Sequence, residues 1–174
     1  MKVLVTGGVR SGKSRHAELL LAAAEAVTYV AAGPTTAQDD DPDWAHRIAA
    51  HRQRRPASWS TVETSDLAAA LRIDTPVLVD CLGTWLTAVL DEHQLWQASL
   101  DAAIDTVQGL LEDALVVLKD RDGVVLVTNE VGLGVVPAHR SGRLFRDLLG
   151  LVNQEVATAC DEVHLVVAGR VLIV

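Results

Sequence analysis

Cysteine is scarce in this chain: Cys81 and Cys160 are the two thiols among 174 residues. Two cysteines do not make the framework that staples small secreted domains. Both sit in apolar segments, so buried free thiols are expected. An excess of positive charge is also lacking. Lys and Arg number 15 against 23 Asp and Glu, a net charge of −8. A general nucleic-acid binder needs a basic face, and the composition excludes that class. The local exception is Arg52-Gln53-Arg54-Arg55, where a solvated helix end would favour cations. No apolar run approaches the roughly 20 residues that cross a bilayer. No leader pattern opens the chain, since Lys2 runs directly into a short strand. With no internal repeat and no break in composition, residues 1–174 read as one domain, complete and cytoplasmic, long enough to bury a full core.

What is present is regular alternation. Strand-like runs recur at 3–5, 27–31, 77–79, 124–127, 163–167 and 171–174. Most are β-branched without polar alternation, as suits strands covered on both faces. Helical stretches at 13–26, 44–54, 67–71, 95–119 and 141–160 separate them. This order predicts an α/β fold with a mostly parallel sheet flanked by helices. The last two strands, joined at Gly169-Arg170, predict an antiparallel hairpin with a tight turn. Residues 33–43 are acidic and interrupted by proline. They follow the second strand, where α/β sheets place ligand-crevice loops, so a flap and a plain solvated connection are both open.

The most specific pattern is Gly7-Gly8-Val9-Arg10-Ser11-Gly12-Lys13-Ser14. It matches the phosphate-binding P-loop, with Val3-Leu4-Val5 before it and a helix-forming run after it. By average residue usage such a match arises by chance in roughly one chain in a hundred of this length. The glycines let the backbone wrap a phosphate chain with inward N–H groups. Lys13 then bridges the outer phosphates as a point charge, and Ser14 offers its hydroxyl to Mg²⁺. Val77-Leu78-Val79-Asp80 is an apolar strand ending in a carboxylate, the partner position for Mg²⁺ in P-loop proteins.

Asp80-Cys81-Leu82-Gly83 also fits the Asp-x-x-Gly pattern of regulatory GTPases. The guanine-reading Asn-Lys-x-Asp is missing, since the nearest segment is Thr128-Asn129-Glu130-Val131. In the expected helix 44–54, Arg47 and His51 are four apart and share a face. A histidine there could serve as base, phosphate contact or nucleophile, or simply face water. Trp59, Trp85 and Trp96 read as packing residues. Arg140, Arg143 and Arg146 could face phosphate or solvent.

Several blocks together resemble the adenosylcobinamide kinase/adenosylcobinamide-phosphate guanylyltransferase family. The first is Thr6 to Glu18, with the P-loop and Arg15-His16-Ala17-Glu18. The second is Arg47-Ile48-x-x-His51-x-x-x-Arg55-Pro56-x-x-Trp59-x-Thr61-x-Glu63. Then come Val79-Asp80-Cys81-Leu82 with Trp85-Leu86, and Asn129-Glu130-Val131-Gly132-Leu133-Gly134-Val135-Val136-Pro137. Phe145-Arg146-Asp147, Gly150, Asn153-Gln154 and Asp161-Glu162-Val163 complete the set. The blocks run from residue 3 to about 170 in family order.

The resemblance implies a bifunctional enzyme of cobalamin biosynthesis. It would phosphorylate adenosylcobinamide with ATP or GTP and then transfer GMP from GTP to adenosylcobinamide phosphate. A covalent GMP–histidine would carry the GMP, and by motif that histidine is His51, while His46 lies outside the motif. Glu63 falls on a nucleotide-binding position, and Arg52, Gln53, Arg54 and Arg55 fall where nucleotide contacts are expected. Lys13 is the expected catalytic cation; Asp80 and Glu130 are open as bases for the substrate hydroxyl. The family also implies a homotrimer. This chain departs from its pattern at Asp43-Trp44, Gly83-Thr84 and Thr87-Ala88, changes that bear on the kinase surroundings more than on nucleotide binding.

Overall fold

The computed structural model describes residues 1–33 and 55–174. A seven-stranded sheet forms its frame. In chain order the strands are β1 (Lys2–Gly7), β2 (Thr28–Ala31), β3 (Ser60–Glu63), β4 (Val77–Asp80), β5 (Val124–Val127), β6 (Glu162–Val167) and β7 (Arg170–Ile173). They lie in the order β3-β2-β4-β5-β1-β6-β7. All neighbours pair in parallel except β6 and β7. The α/β fold, the mostly parallel sheet and the C-terminal hairpin expected from the alternation are all present.

The central strands are the β-branched ones, and they are covered on both faces. Val124 to Val127 are buried throughout, as are Val77, Leu78 and Val79. Alternation along the strands sends Leu4, Val30, Val79 and Leu126 to one core and Val5, Tyr29, Leu78 and Val127 to the other. The larger core lies under four helices: α2 (Leu67–Leu71), α3 (Leu82–Glu92), α4 (Leu100–Lys119) and α5 (Arg140–Ala159). The smaller core lies under α1 (Lys13–Leu20), through Ala17 and the following Leu21.

Helix α4 shows why these segments are helical. Ser99 caps it by accepting from the N–H of Ala102, Asp101 sits in its first turn and Lys119 in its last. Ala103, Val107, Leu111, Ala114 and Leu118 form a buried stripe at three- and four-residue spacing. Val107, Leu111 and Leu118 each contribute on the order of 1.5–3 kcal/mol when taken from water, so the stripe, not helix propensity, holds α4 in place.

Two boundaries and two further elements differ from the sequence expectations. Helix α1 ends at Leu20, well short of residue 26. The expected helix 95–119 begins at Leu100, after a separate 3-10 turn at Leu95–Gln97. Strand β3 was hidden because it is a short polar edge strand, exposed along most of its length. Helix α3 was hidden because Gly83 and the β-branched Thr84 and Thr87 mask its apolar stripe of Trp85, Leu86, Val89 and Leu90. The helix expected over 44–54 and nearly all of the loop 33–43 lie outside the described residues.

Topology places the site. Loops leaving neighbouring strands β1 and β5 turn to opposite faces, one into α1 and the other toward α5. Such a divergence opens a crevice at the C-terminal edge of a parallel sheet. Strand β5 also separates β1 from β4, so their ends stand about 10 Å apart.

Candidate functional site

The P-loop occupies that crevice, and its shape depends on backbone. A Cβ on Gly7 would lie 2.4 Å from the carbonyl oxygen of Val166 and 2.8 Å from Ser11 Oγ. A Cβ on Gly8, in contrast, would meet nothing within 4 Å. Space beside Gly8 is therefore open on the protein side. Gly12 takes a left-handed conformation at the N-cap of α1, with φ of 96°. The N–H of Gly169, in the β6–β7 turn, donates to the Ser11 carbonyl at 2.8 Å. On the other flank the N–H of Glu130 donates to the Gly7 carbonyl at 3.1 Å. The loop is thus clamped from β5 on one side and from the C-terminal hairpin on the other. Ser11 Oγ is buried with no hydrogen-bond partner among the described residues.

Lys13 is the one lysine that the fold buries among the described residues. Its ammonium donates to the Gly8 carbonyl at 3.2 Å, folding back along the loop. Burial pushes its pKa down, opposed by the charge of the nearby Asp80 carboxylate. A cation held in such a place lacks full solvation and gains when an anion arrives. Ser14 follows on the first turn of α1, half-buried.

Asp80 ends β4 and faces the α1 side, because it lies two residues beyond Leu78. It accepts a hydrogen bond from the buried phenol of Tyr29 at 3.3 Å. Burial, and next the Asp80 charge, raise the Tyr29 pKa well above its ordinary value. Cys81 follows as a buried free thiol and caps α3 with Thr84, whose hydroxyl donates to the Cys81 carbonyl at 2.9 Å. Burial and Asp80 raise the Cys81 pKa, so this thiol stays protonated and unreactive.

The remaining sequence candidates divide. Arg55 reaches the site: its guanidinium stacks 3.6 Å over the Tyr29 ring, and Nη1 donates to Thr61 Oγ1 at 3.2 Å. Glu63 stands at the end of β3, paired in register with Ala31, on the same sheet edge. His51, Arg52, Gln53 and Arg54 lie outside the described residues, as does His46. Val9 and Arg10 are exposed at the tip of the P-loop.

Of the three arginines on α5, Arg140 and Arg143 are exposed to solvent, one of the two sequence alternatives, and Arg146 is half-buried; all three also bond to backbone carbonyls. Arg146 donates to the Gly132 carbonyl, Arg143 to the carbonyls of Pro137 and Ala138, and Arg140 to those of Trp96 and Ala98. They fasten the loop after β5 and its surroundings. Asn153 finishes that work from about two turns further along α5 than Arg146. It accepts from the fully buried Thr128 hydroxyl at 2.6 Å and donates to the Asn129 carbonyl at 3.0 Å. The tryptophans pack as expected, with Trp85 fully buried and its N–H bonded to the Ser65 carbonyl at 2.9 Å.

On the outer side of α1, His16 Nε2 and His164 Nδ1 share a hydrogen at 2.8 Å. His164 Nε2 in turn meets Glu162 Oε2 at 2.7 Å. Burial, then His164, push the His16 pKa below the usual histidine value. Tyr29 and His164 had no signal in the sequence, since neither belongs to a local motif. Tyr29 meets Asp80 across 51 positions, and His164 meets His16 across 148.

Comparison with known proteins agrees with this layout. Residues 3–174 match a family model described as CobU, cobinamide kinase / cobinamide phosphate guanyltransferase. The chain is 44% identical over 185 aligned positions to the bifunctional adenosylcobalamin biosynthesis protein CobU of Salmonella typhimurium, covering 97% of each. It is 40% identical to the Escherichia coli protein of the same name, again over 97% of both chains. The bifunctional adenosylcobalamin biosynthesis protein CobP of Pseudomonas aeruginosa is 42% identical, with 97% of this chain and 94% of that one covered. With a match along nearly its whole length, the chain belongs to the cobinamide kinase / cobinamide phosphate guanyltransferase family.

Proposed function

We propose that the chain works as both enzymes in turn: a kinase for adenosylcobinamide, using ATP or GTP, and a guanylyltransferase acting on the product. The observation that carries this reading is the match over residues 3–174 to a family described by both activities. The open space beside Gly8 and the under-solvated Lys13 ammonium support the kinase half.

In the kinase step the loop amides and Lys13 hold the phosphate chain and balance charge as the γ-phosphoryl leaves for the substrate hydroxyl. Ser14 and Asp80 are oxygen donors suited to a magnesium ion, which commonly uses one or two protein ligands plus substrate phosphates. When bound, Mg²⁺ supplies neutralisation of phosphate charge. In the guanylyl step a ring nitrogen of His51 attacks the α-phosphorus of GTP. A P–N bond forms, the bond to the β-phosphate oxygen breaks, and pyrophosphate leaves. The phosphate of adenosylcobinamide phosphate then attacks the same phosphorus and frees His51, giving adenosylcobinamide-GDP. Arg52, Gln53, Arg54, Arg55 and Glu63 are assigned to the nucleotide in this reading, as are Gly7, Gly8, Val9, Arg10, Ser11, Gly12, Lys13, Ser14 and Asp80.

Mass spectrometry of protein incubated with GTP and Mg²⁺ tests the covalent step. One added guanylyl group is expected in the wild type and in His46→Ala, and none in His51→Ala. A normally labelled His51→Ala protein would overturn the nucleophile assignment. A homotrimer working in the cytoplasm is the assembly that the family resemblance supports, and light scattering in solution checks for three copies. Among the described residues no helix is long and apolar enough to cross a membrane.

A further inference from the structure

Tyr29 is the chain's single tyrosine, and it sits between two groups from distant segments. Strand β2 pairs Tyr29 with Leu78 on β4 and with Thr61 on β3. Side chains opposite one another in register share a face, and an aromatic side chain also reaches the diagonal neighbour two residues on. That geometry carries the phenol to Asp80, two residues past Leu78, at 3.3 Å. It also places the ring beside Thr61, where Arg55 is held by the Thr61 hydroxyl at 3.2 Å and lies 3.6 Å over the ring. The phenol therefore serves a carboxylate, and the ring serves a cation.

These two neighbours belong to different halves of the proposed reaction. Asp80 shares its field with Lys13 of the P-loop. Arg55 belongs to the sequence block that contains His51, four residues upstream. Tyr29 itself is buried, so neither contact is an accident of a loose surface side chain. The hydroxyl is not needed for packing: a phenylalanine would fill the same space in the core that Tyr29 shares with Leu78 and Val127. Its presence points to the carboxylate it addresses.

We propose that Tyr29 is a positioning residue for both steps: its hydroxyl aims the Asp80 carboxylate at the P-loop, and its ring seats Arg55 for the guanylyl donor. This rests on the reading that Asp80 and Arg55 serve the nucleotide site. The two halves of the side chain act separately, so they can be removed separately.

The variants Tyr29→Phe and Tyr29→Leu, with Asp80→Asn as reference, test this on the full-length protein. Tyr29→Phe keeps the ring and loses the hydroxyl. It is expected to lower kcat of the kinase step about ten-fold, the scale of one hydrogen bond to a charged group. The nucleotide KM and the rate of GMP labelling by GTP should stay within about two-fold of wild type, because Arg55 keeps its seat. Tyr29→Leu should lower GMP labelling as well. A readout independent of turnover is the single ring resonance of fluorotyrosine-labelled protein, which should move on Asp80→Asn and on addition of GTP without metal.

A Tyr29→Phe enzyme with both rates unchanged, or with both reduced in equal proportion, overturns the proposal. So does a tyrosine signal unmoved by Asp80→Asn. If Asp80→Asn itself leaves the kinase rate at the wild-type level, the assignment of Asp80 fails first, and the role of Tyr29 falls with it. If Asp80→Asn loses the kinase step while Tyr29→Phe does not, Asp80 stands and Tyr29 alone is refuted.

Discussion

The two ends of the crevice are built from different materials. At the β1 end the wall is backbone, shaped by glycines and clamped by main-chain hydrogen bonds from Glu130 and Gly169. At the β4 end it is side chain, with Asp80, Tyr29, Arg55 and Thr61 converging from three strands and a loop. A backbone surface is rigid, and any new atom damages it. A side-chain surface can be tuned one group at a time. The first suits a ligand part that never varies, the phosphate chain. The second suits steps that differ between two reactions.

The largest effect should come from adding one carbon at the backbone end. Gly7→Ala forces a Cβ to within 2.4 Å of the Val166 carbonyl, so strand β6 or the loop must move. We expect a loss of about 2–4 kcal/mol of stability together with nucleotide binding. Gly8→Ala sharpens the comparison, since its Cβ meets open space in the protein. Its unfolding midpoint should match the wild type, while calorimetry should show weakened GTP binding. Equal stability losses in both variants would mean that the open space has nothing to do with ligand.

Lys13→Met comes next. Removing the ammonium should slow phosphoryl transfer about 100- to 1000-fold, as for other lost charge-stabilising donors. Yet the thermal midpoint of the unliganded protein should not fall, because burial disfavours the charged form of Lys13. A marked drop in that midpoint would show the lysine to be structural.

How much of this was legible in the chain follows from the same contrast. Residues 7–14 are contiguous, so the P-loop, its flanking strand and its helix could be read locally, and the apolar strands gave the parallel sheet. Asp80 was legible because it ends an apolar run. Tyr29 was not, since nothing near it in sequence marks it, and its meaning comes from register with Leu78 and Thr61. Arg140, Arg143 and Arg146 were ambiguous for a related reason. Helical spacing told which side of α5 they share, but their carbonyl partners belong to the loops around residues 96–98 and 132–138.

Asn153→Ala probes how the loop after β5 is held between the two ends. It deprives the buried Thr128 hydroxyl and the Asn129 carbonyl of their partner. A cost of about 1–3 kcal/mol in urea unfolding is expected, and Thr128→Val in the same background should restore part of it.

The smallest effect concerns pH and the far side of α1. The His16 pKa is lowered below 6.5 by burial and by His164, which itself faces Glu162. The unfolded chain then binds more protons than the folded one just below pH 6.5, so stability declines as pH falls through that window. Urea midpoints measured across it should drop in the wild type and flatten in His16→Asn.

The position of β1 has a consequence for how the protein is made. Its residues leave the ribosome before every other strand of this sheet, yet its two sheet neighbours are β5 and β6, which come more than a hundred residues later. At about 5–20 residues per second, Val3, Leu4 and Val5 wait roughly 10–30 s for β6. The clamp from Gly169 arrives later still. The loop at 7–14 is therefore translated ahead of the rest of the sheet and is among the last parts to be clamped. Partly synthesised chains hold an unpaired apolar strand, a target for chaperones.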